Sequence, residues 1–451
     1  MIKIIESIDL REESRPLIVG LNKEVAVFKE LDSLLNGGLA SLDAKYVIPS
    51  LKLIKAPKIY VFKGEDLAAD FTELAALEGE YVILLDTFTA THSIEEVAKV
   101  FGEVIMNKSS SLNLKSEPKE VVHSFMVYSA CDMKKALNEG IVLGESINFV
   151  RRLVDLPNNY LNAEKLARFA VEKTGNLKNV TVEILNKKAL QDLKMGAFLG
   201  VNQGSYDEPR LIAIKYQGKE TWDDPVCFIG KGVTFDTGGY SLKQSMINMK
   251  GDMAGGAAVI GAAYAVATLE LPVNALFLVG ATDNRMGEYA IVPDDILTSM
   301  SGKTIEIVST DAEGRLVLAD VLTYAQSQGA KKLIDIATLT GSMAATFGGY
   351  YSGAFANDQE FYDKFAASCK NAKEKVWQMP LDDCFFEIIK SKIADMKNSS
   401  GRNCGAASAA IFLKQFVSKD SKWIHLDIAG TSSVDGNATG VMVKSFVEFC
   451  K

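Results

Sequence analysis

The 451-residue chain carries 49 Lys and Arg against 57 Asp and Glu, a net charge of −8, with 48% hydrophobic and 24% charged residues. This is the length of two or three domains with sizeable cores and the balance of an ordinary globular protein. The acidic charge disfavours binding of duplex DNA, the six cysteines form no CxxC pair that would mark a zinc finger or redox dithiol, and no apolar run has membrane-spanning length.

The opening "MIKIIESIDLREESRP" mixes charges with short apolar runs and lacks the apolar core of a signal peptide, so a cytoplasmic, reducing location is expected. "RPLIVGL" (15–21), "KIYVFKG" (58–64) and "YVILLDTF" (81–88) read as strands, and "SIEEVAKVFGEVIMNK" (93–108) as an amphipathic helix. Nothing in this front segment looks catalytic. The stretch 132–157 reads as a long helix closed by Pro157. The expected fold is α/β in two domains. A smaller N-terminal α/β domain spans 1–135. A larger C-terminal α/β catalytic domain spans 136–451, begins with the linking helix and has a central mixed sheet flanked by helices.

Farther along, "DEPRLIAIKYQG", "DPVCFIGKGVTF", "VNALFLVGATDN", "KTIEIVSTD" and "KKLIDIATLTG" read as buried strands. "GAAVIGAAYAVATLE", "RLVLADVLTYAQSQG" and "AASAAIFLKQFVSK" read as helices. Polar residues collect at the strand ends, where sites form in open α/β sheets. "GKGVTFDTGGYSLK" (230–243) lacks the order of a phosphate-binding P-loop, because Lys231 precedes the loop and Gln244 follows Lys243. By itself it is equally a glycine-rich turn. Asp252 in "MKGDMAGGAA" reads alone as a helix N-cap. Asp311 and Glu313 in "STDAEGRLVLAD" face one point if that segment is extended, but Thr310-x-x-Glu313 also fits a capping box, and Arg315 a first-turn surface residue.

Together these local readings strain. Asp236, Asp252, Asp311 and Glu313 come from three separate strand ends, and a sheet that gathers them crowds four carboxylates. Two divalent ions about 3.5–4 Å apart would neutralise them. The oxygen ligands suit magnesium or manganese, and zinc also accepts carboxylates. Histidine is scarce: His92 and His123 lie in the front segment, and His425 in "WIHLDIAG" reads as a core residue.

With "GSYDEPRLI", "IATLTG", "MPL", "GRNCGAASAAIFLKQFV" and "HLDIAGT", these three stretches resemble the leucyl aminopeptidases, or cytosol aminopeptidases, across nearly all of 140–451 and weakly over 1–135. The resemblance implies that Lys231, Asp236, Asp252 and Glu313 hold one metal ion, and Asp236, Asp311 and Glu313 a tighter one. It implies two zinc or manganese ions per subunit, with magnesium a further candidate. It assigns Lys243 to the carbonyl and its oxyanion, and Arg315 to a bicarbonate acting as general base. The attacking water would bridge the two metals. Met249, Thr338, Gly341 and Ala429, with the backbone of Leu339, would form a pocket for leucine-like side chains. The substrates would be peptides with a free N-terminus, and the assembly a homohexamer built as a dimer of trimers, away from membranes. Ser309 stands where the family more usually has Asn, the segment from Lys243 to Asp252 is short, and "YLNAEKLA" replaces a common Thr-Pro. A metal-free scaffold and a phosphoryl-transfer enzyme are the rival readings; the first is opposed by the full set of ligand-type residues, the second by the loop order.

Overall fold

The computed structural model describes residues 1–108, 112–117, 123–401 and 403–451, and divides into the units Met1–Asn148 and Phe149–Lys451. The first unit contains β1 (Ile2–Ile4), β2 (Leu17–Val19), α1 (Ala26–Leu34), β3 (Tyr46–Pro49), β4 (Lys58–Val61), α2 (Leu67–Leu74), β5 (Gly79–Leu84), α3 (Ile94–Lys108) and β6 (His123–Tyr128). The strand order is β1-β6-β5-β2-β4-β3, and every pairing is parallel except β3 with β4. Both faces are covered, one by a cluster around Phe71, Phe88, Phe101 and Phe125 and the other around Phe28, Leu31 and Val82. Such double burial is why these parallel strands read as continuous apolar runs. Helix α4 (Lys134–Asp155) spans the division and stops before Pro157, whose ring excludes the residue ahead of it from helical geometry.

In the second unit the helices are α5 (Ala163–Thr174), α6 (Lys187–Asp192), α7 (Gly196–Asn202), α8 (Ala254–Thr268), α9 (Gly314–Ser327), α10 (Gly341–Phe347), α11 (Gln359–Asn371), α12 (Gly405–Lys414) and α13 (Val443–Phe449). The strands are β7 (Val180–Leu185), β8 (Arg210–Gln217), β9 (Val226–Asp236), β10 (Asn274–Asn284), β11 (Ile296–Thr298), β12 (Thr304–Glu306), β13 (Lys332–Ala337), β14 (Ser352–Ala356), β15 (Val376–Gln378), β16 (Met396–Lys397), β17 (Lys422–Asp427), β18 (Ser433–Val434) and β19 (Asn437–Ala438). The main sheet runs β15-β14-β17-β13-β9-β10-β8-β7. Its four middle strands, β17, β13, β9 and β10, are mutually parallel, whereas β14 meets β17, and β8 meets β10 and β7, antiparallel. The sheet is therefore mixed, with helices on both faces.

Helices α7, α9 and α12 pack together over one face, and α5, α8 and α13 over the other. Trp423 and Phe228 are fully buried in these layers. Each buried side chain of that kind stabilises the fold by about 1.5–3 kcal/mol. Helix α8 rides close on β9: a Cβ on Gly230 would fall 2.5 Å from the Gly256 Cα. From β9 the chain passes through α8 to β10 on one side, and later through α9 to β13 on the other. The carboxyl end of β9 thus sits at a topological switch point, where open α/β sheets form their crevices.

Two expectations change here. "KTIEIVSTD" does not join the main sheet; only Thr304–Glu306 is strand, in a separate β11-β12-β16 sheet. Asp311 lies in a turn closed by Ala312 N to Ser309 O at 3.2 Å, not in an extended segment, so its nearness to Glu313 does not come from strand alternation.

Candidate metal centre and active site

Lys231 and Asp236 come from β9, where burial on both faces forces the strand's polar residues to find partners. The Lys231 ammonium lies 2.9 Å from Asp252 Oδ2 and 2.8 Å from Glu313 Oε1, and donates to the Thr338 carbonyl at 3.0 Å. Lys243 lies 2.7 Å from Asp236 Oδ2 and 2.5 Å from Asp311 Oδ1. Four carboxylates are thus gathered, with two ammonium groups among them. Of the four, only Asp236 stands at a sheet-strand end. Asp252 follows a short 3-10 turn ahead of α8, and Asp311 and Glu313 precede α9.

The capping alternatives do not hold. Helix α8 has no side-chain cap, and Asp252 Oδ1 instead accepts from the Thr338 hydroxyl at 2.7 Å. Helix α9 also lacks a side-chain cap, because the Thr310 hydroxyl donates to the Gly238 carbonyl at 2.5 Å and accepts from Ser241 N at 2.7 Å. These bonds tie the glycine loop to the segment bearing Asp311. Gly238 and Gly239 have φ of +82° and +60°, and a Cβ on either would fall 2.9 Å from Asp311 Oδ1 or 2.8 Å from Thr310 Oγ1. Glycine is needed there on both counts.

The electrostatics follow from burial and crowding. Burial pushes Asp236 up to about 7, with the Glu313 charge adding to it and Lys243 and Lys231 opposing. Burial likewise raises Asp252 well above the ordinary carboxylate range, and raises Asp311. For Glu313 burial is outweighed by Lys231 and Lys243, and it is lowered. Burial alone would lower Lys231, but Asp252, Glu313 and Asp236 hold it above its usual value; Lys243 is raised similarly, chiefly by Asp236.

The donor set fits divalent cations. One oxygen each from Asp236, Asp311 and Glu313 lie within 4.8 Å of one another. Asp252 Oδ2 is buried, and its charge is met by the Lys231 ammonium 2.9 Å away, which Glu313 Oε1 shares at 2.8 Å. One ammonium shared between two buried carboxylates balances only half of their charge, which leaves a role for a dication.

These groups open into a cavity of about 320 Å³. Lys231, Asp236, Lys243, Met249, Asp252, Asp311, Glu313, Thr338, Leu339, Gly341 and Ala429 all line it. Arg315 does not. It is buried, donates through Nη1 to the Asn398 carbonyl at 2.8 Å, and its Nε has no partner. Burial pulls it down to about 10, against Glu313 and Asp427.

The catalytic domain of the cytosol aminopeptidase family matches residues 148–447. The chain belongs to the cytosol aminopeptidase family. It is 37% identical to a probable cytosol aminopeptidase of Bacillus licheniformis over an alignment of 484 positions, covering 97% of both chains. Membership makes it a metal-dependent aminopeptidase acting on peptides. Among the described residues no helix is long and apolar enough to cross a membrane.

Sequence reasoning missed three residues that hold this aminopeptidase site together. Asn284, at the end of β10, donates to Asp236 Oδ1 at 2.8 Å and to the Thr310 carbonyl at 3.0 Å. Asn398 accepts from Val308 N and donates to the Ser309 carbonyl, at 2.8 and 2.7 Å. Asp427 ends β17 beneath the cavity wall. Their one sequence signal was a polar residue at or just past a strand end, which does not say what it meets. Arg402, part of a stretch that carries the resemblance, lies outside the described residues.

Proposed function

We propose that this aminopeptidase is a two-metal exopeptidase that releases leucine-like N-terminal residues, with zinc or manganese in the centre. The observation that carries this reading is the four-carboxylate cluster, in which two lysines leave half the charge unmet. Two divalent cations at such a site supply Lewis acidity at a carbonyl and lower the pKa of water. In this reading Lys231, Asp236, Asp252, Asp311 and Glu313 are the ligands. Lys231 ligates as the neutral amine and keeps its hydrogen bond to Thr338. Lys243 carries the ammonium donors that stabilise the oxyanion developing on the substrate carbonyl. Met249, Thr338, Leu339, Gly341 and Ala429 form the wall that receives the first side chain. The mixed small and apolar character of that wall supports a leucine-like preference.

Arg315 is assigned to a bicarbonate that serves as general base. Its partnerless Nε supports an anion there, and histidine offers no alternative: among the three histidines, none lines the cavity. A cytoplasmic dimer of trimers, with 1–135 as a variable domain serving assembly or regulation, completes the reading on family resemblance.

The test is hydrolysis of Leu-p-nitroanilide with added manganese or zinc, by wild type and Asp252→Ala. The expected outcome is metal-dependent cleavage that falls at least about 100-fold in the variant, as the loss of a ligating group implies. No cleavage by wild type with either metal refutes the activity, and undiminished cleavage by the variant refutes the ligand assignment.

A further inference from the structure

We propose that Asp427 is a positioning residue for this site: through the single peptide group joining Thr338 and Leu339 it orients the Lys231 nitrogen, and it fixes the spacing of two cavity walls. The proposal rests on the reading that this cavity is the aminopeptidase site.

Asp427 is 1% exposed and is the last residue of β17, paired in register with Ala337, the last residue of β13. Its Oδ1 accepts from Leu339 N at 3.1 Å and from Ala429 N at 3.2 Å, and its Oδ2 accepts from the Thr340 hydroxyl at 2.6 Å. Leu339 and Ala429 come from different strand ends, yet both line the cavity and both are anchored on one oxygen. Beyond the β13–β17 pairing and the Ile428 N to Ala337 O bond at 2.8 Å, one carboxylate thus bridges the two walls.

The second link is covalent. The Thr338 carbonyl accepts from Lys231 Nζ at 3.0 Å, and the Leu339 N–H of the same peptide group donates to Asp427. A trans peptide is planar, and its C=O and N–H point in opposite directions. Its dipole thus lies between an ammonium on one side and a carboxylate on the other, each facing the end of opposite sign. Turning the plane to break one bond breaks the other. Lys231 has two further neighbours, Asp252 and Glu313, which are themselves proposed ligands. The Thr338 carbonyl is the partner that stays with Lys231 when those carboxylates turn to cations. Groups that orient a ligand in this way change metal affinity about 10–100-fold when removed.

The experiment compares Asp427→Ala, Asp427→Asn, Thr340→Val and Glu374→Gln in the full chain. Glu374 is the control: it is a half-buried carboxylate that accepts from Met442 N and Ser445 N at 2.7 and 2.9 Å, and it does not line the cavity. Manganese binding is read by equilibrium dialysis without substrate, and kcat and KM are read with Leu-p-nitroanilide. Asp427→Ala is expected to weaken at least one of the two manganese sites about tenfold and to raise KM, with Asp427→Asn, which keeps an oxygen acceptor, recovering most of both. Glu374→Gln, even with a lowered melting temperature, is expected to move neither. A folded Asp427→Ala with wild-type manganese affinity and KM overturns the proposal, as does an equal shift in Glu374→Gln. Should Asp427→Ala fail to fold, Thr340→Val decides by manganese binding, because its hydroxyl also caps α10 and Thr340 itself lines the cavity, so that KM alone would not report on Asp427: weakened manganese binding supports the proposal and unchanged binding overturns it. A wild type that neither binds manganese nor cleaves overturns the aminopeptidase reading itself and this proposal with it.

Discussion

Gly314, the first residue of α9, tests how tightly Lys231 must be held. A Cβ added there would fall 2.7 Å from the Lys231 Cδ, Cε and Nζ together. Carbon contacts settle near 3.5 Å or more, so the lysine stem must retreat by about 0.8 Å. Its side chain is 3% exposed, which leaves little room for that retreat without moving the nitrogen off Asp252 and Glu313. A displacement of about 1 Å at a reacting constellation costs on the order of 100-fold in rate. Gly314→Ala is therefore expected to lower kcat/KM on Leu-p-nitroanilide about 10–100-fold at saturating manganese. Alanine is the better helix former by up to about 1 kcal/mol, and Gly314 does not have the positive φ that would oppose it. Overpacking the buried stem costs about 1–3 kcal/mol, at least as much as the helix gain, so the melting temperature should fall modestly while activity falls far more. A variant with wild-type kcat/KM would refute the claim that Lys231 needs this exact seat.

Lys243→Ala removes the donor proposed for the oxyanion and is expected to cut kcat about 10²–10³-fold with a smaller change in KM, measured by steady-state kinetics. Chelation should abolish cleavage while far-ultraviolet circular dichroism is kept, and restoring ion to about 100 times its Kd should stabilise the chain by about 2.7 kcal/mol in a thermal melt; an unshifted melting temperature would count against a built metal centre. A fourth prediction concerns pH. Burial would lower His425, but the Asp335 carboxylate, 2.5 Å from its Nδ1, outweighs burial and holds its pKa above the ordinary 6.5. A folded value above the unfolded one gives stability that is complete below about 6.5 and lost as pH rises through the folded value. The gap in urea midpoint between wild type and a His425→Phe, Asp335→Asn double variant should be widest below pH 6.5 and shrink above it; a gap that stays constant to pH 9 would refute the assignment.

The long elements were legible because their apolar runs are buried on both faces. Strands β8, β10 and β13 fall within the stretches read from sequence, and β9, α8, α9 and α12 exceed theirs by one or two residues at one end. The segment around Asp311 was misread because Ile305 and Ile307 look like a core strand, yet they bury beside a small separate sheet. The cavity residues were legible through motif blocks, not through local physics, since Asp252 and Thr310 each satisfy a capping rule that the fold does not use. Asn284, Asn398 and Asp427 stayed hidden because each acts across the sheet, and nothing in a linear sequence fixes which strand ends become neighbours. Arg315 marks the other limit: its place in the motif was clear, but that it is buried on the Asn398 carbonyl and does not itself line the cavity was not.

The two lysines seated among the carboxylates act as built-in counter-ions. Because they relieve half of the repulsion, the proposed ligand set lets the polypeptide fold before any ion arrives, and on that proposal loading is an exchange of ammonium for metal in a finished mould. In that reading the ion bound is decided after folding, by each dication's affinity for this oxygen-rich site together with its free activity.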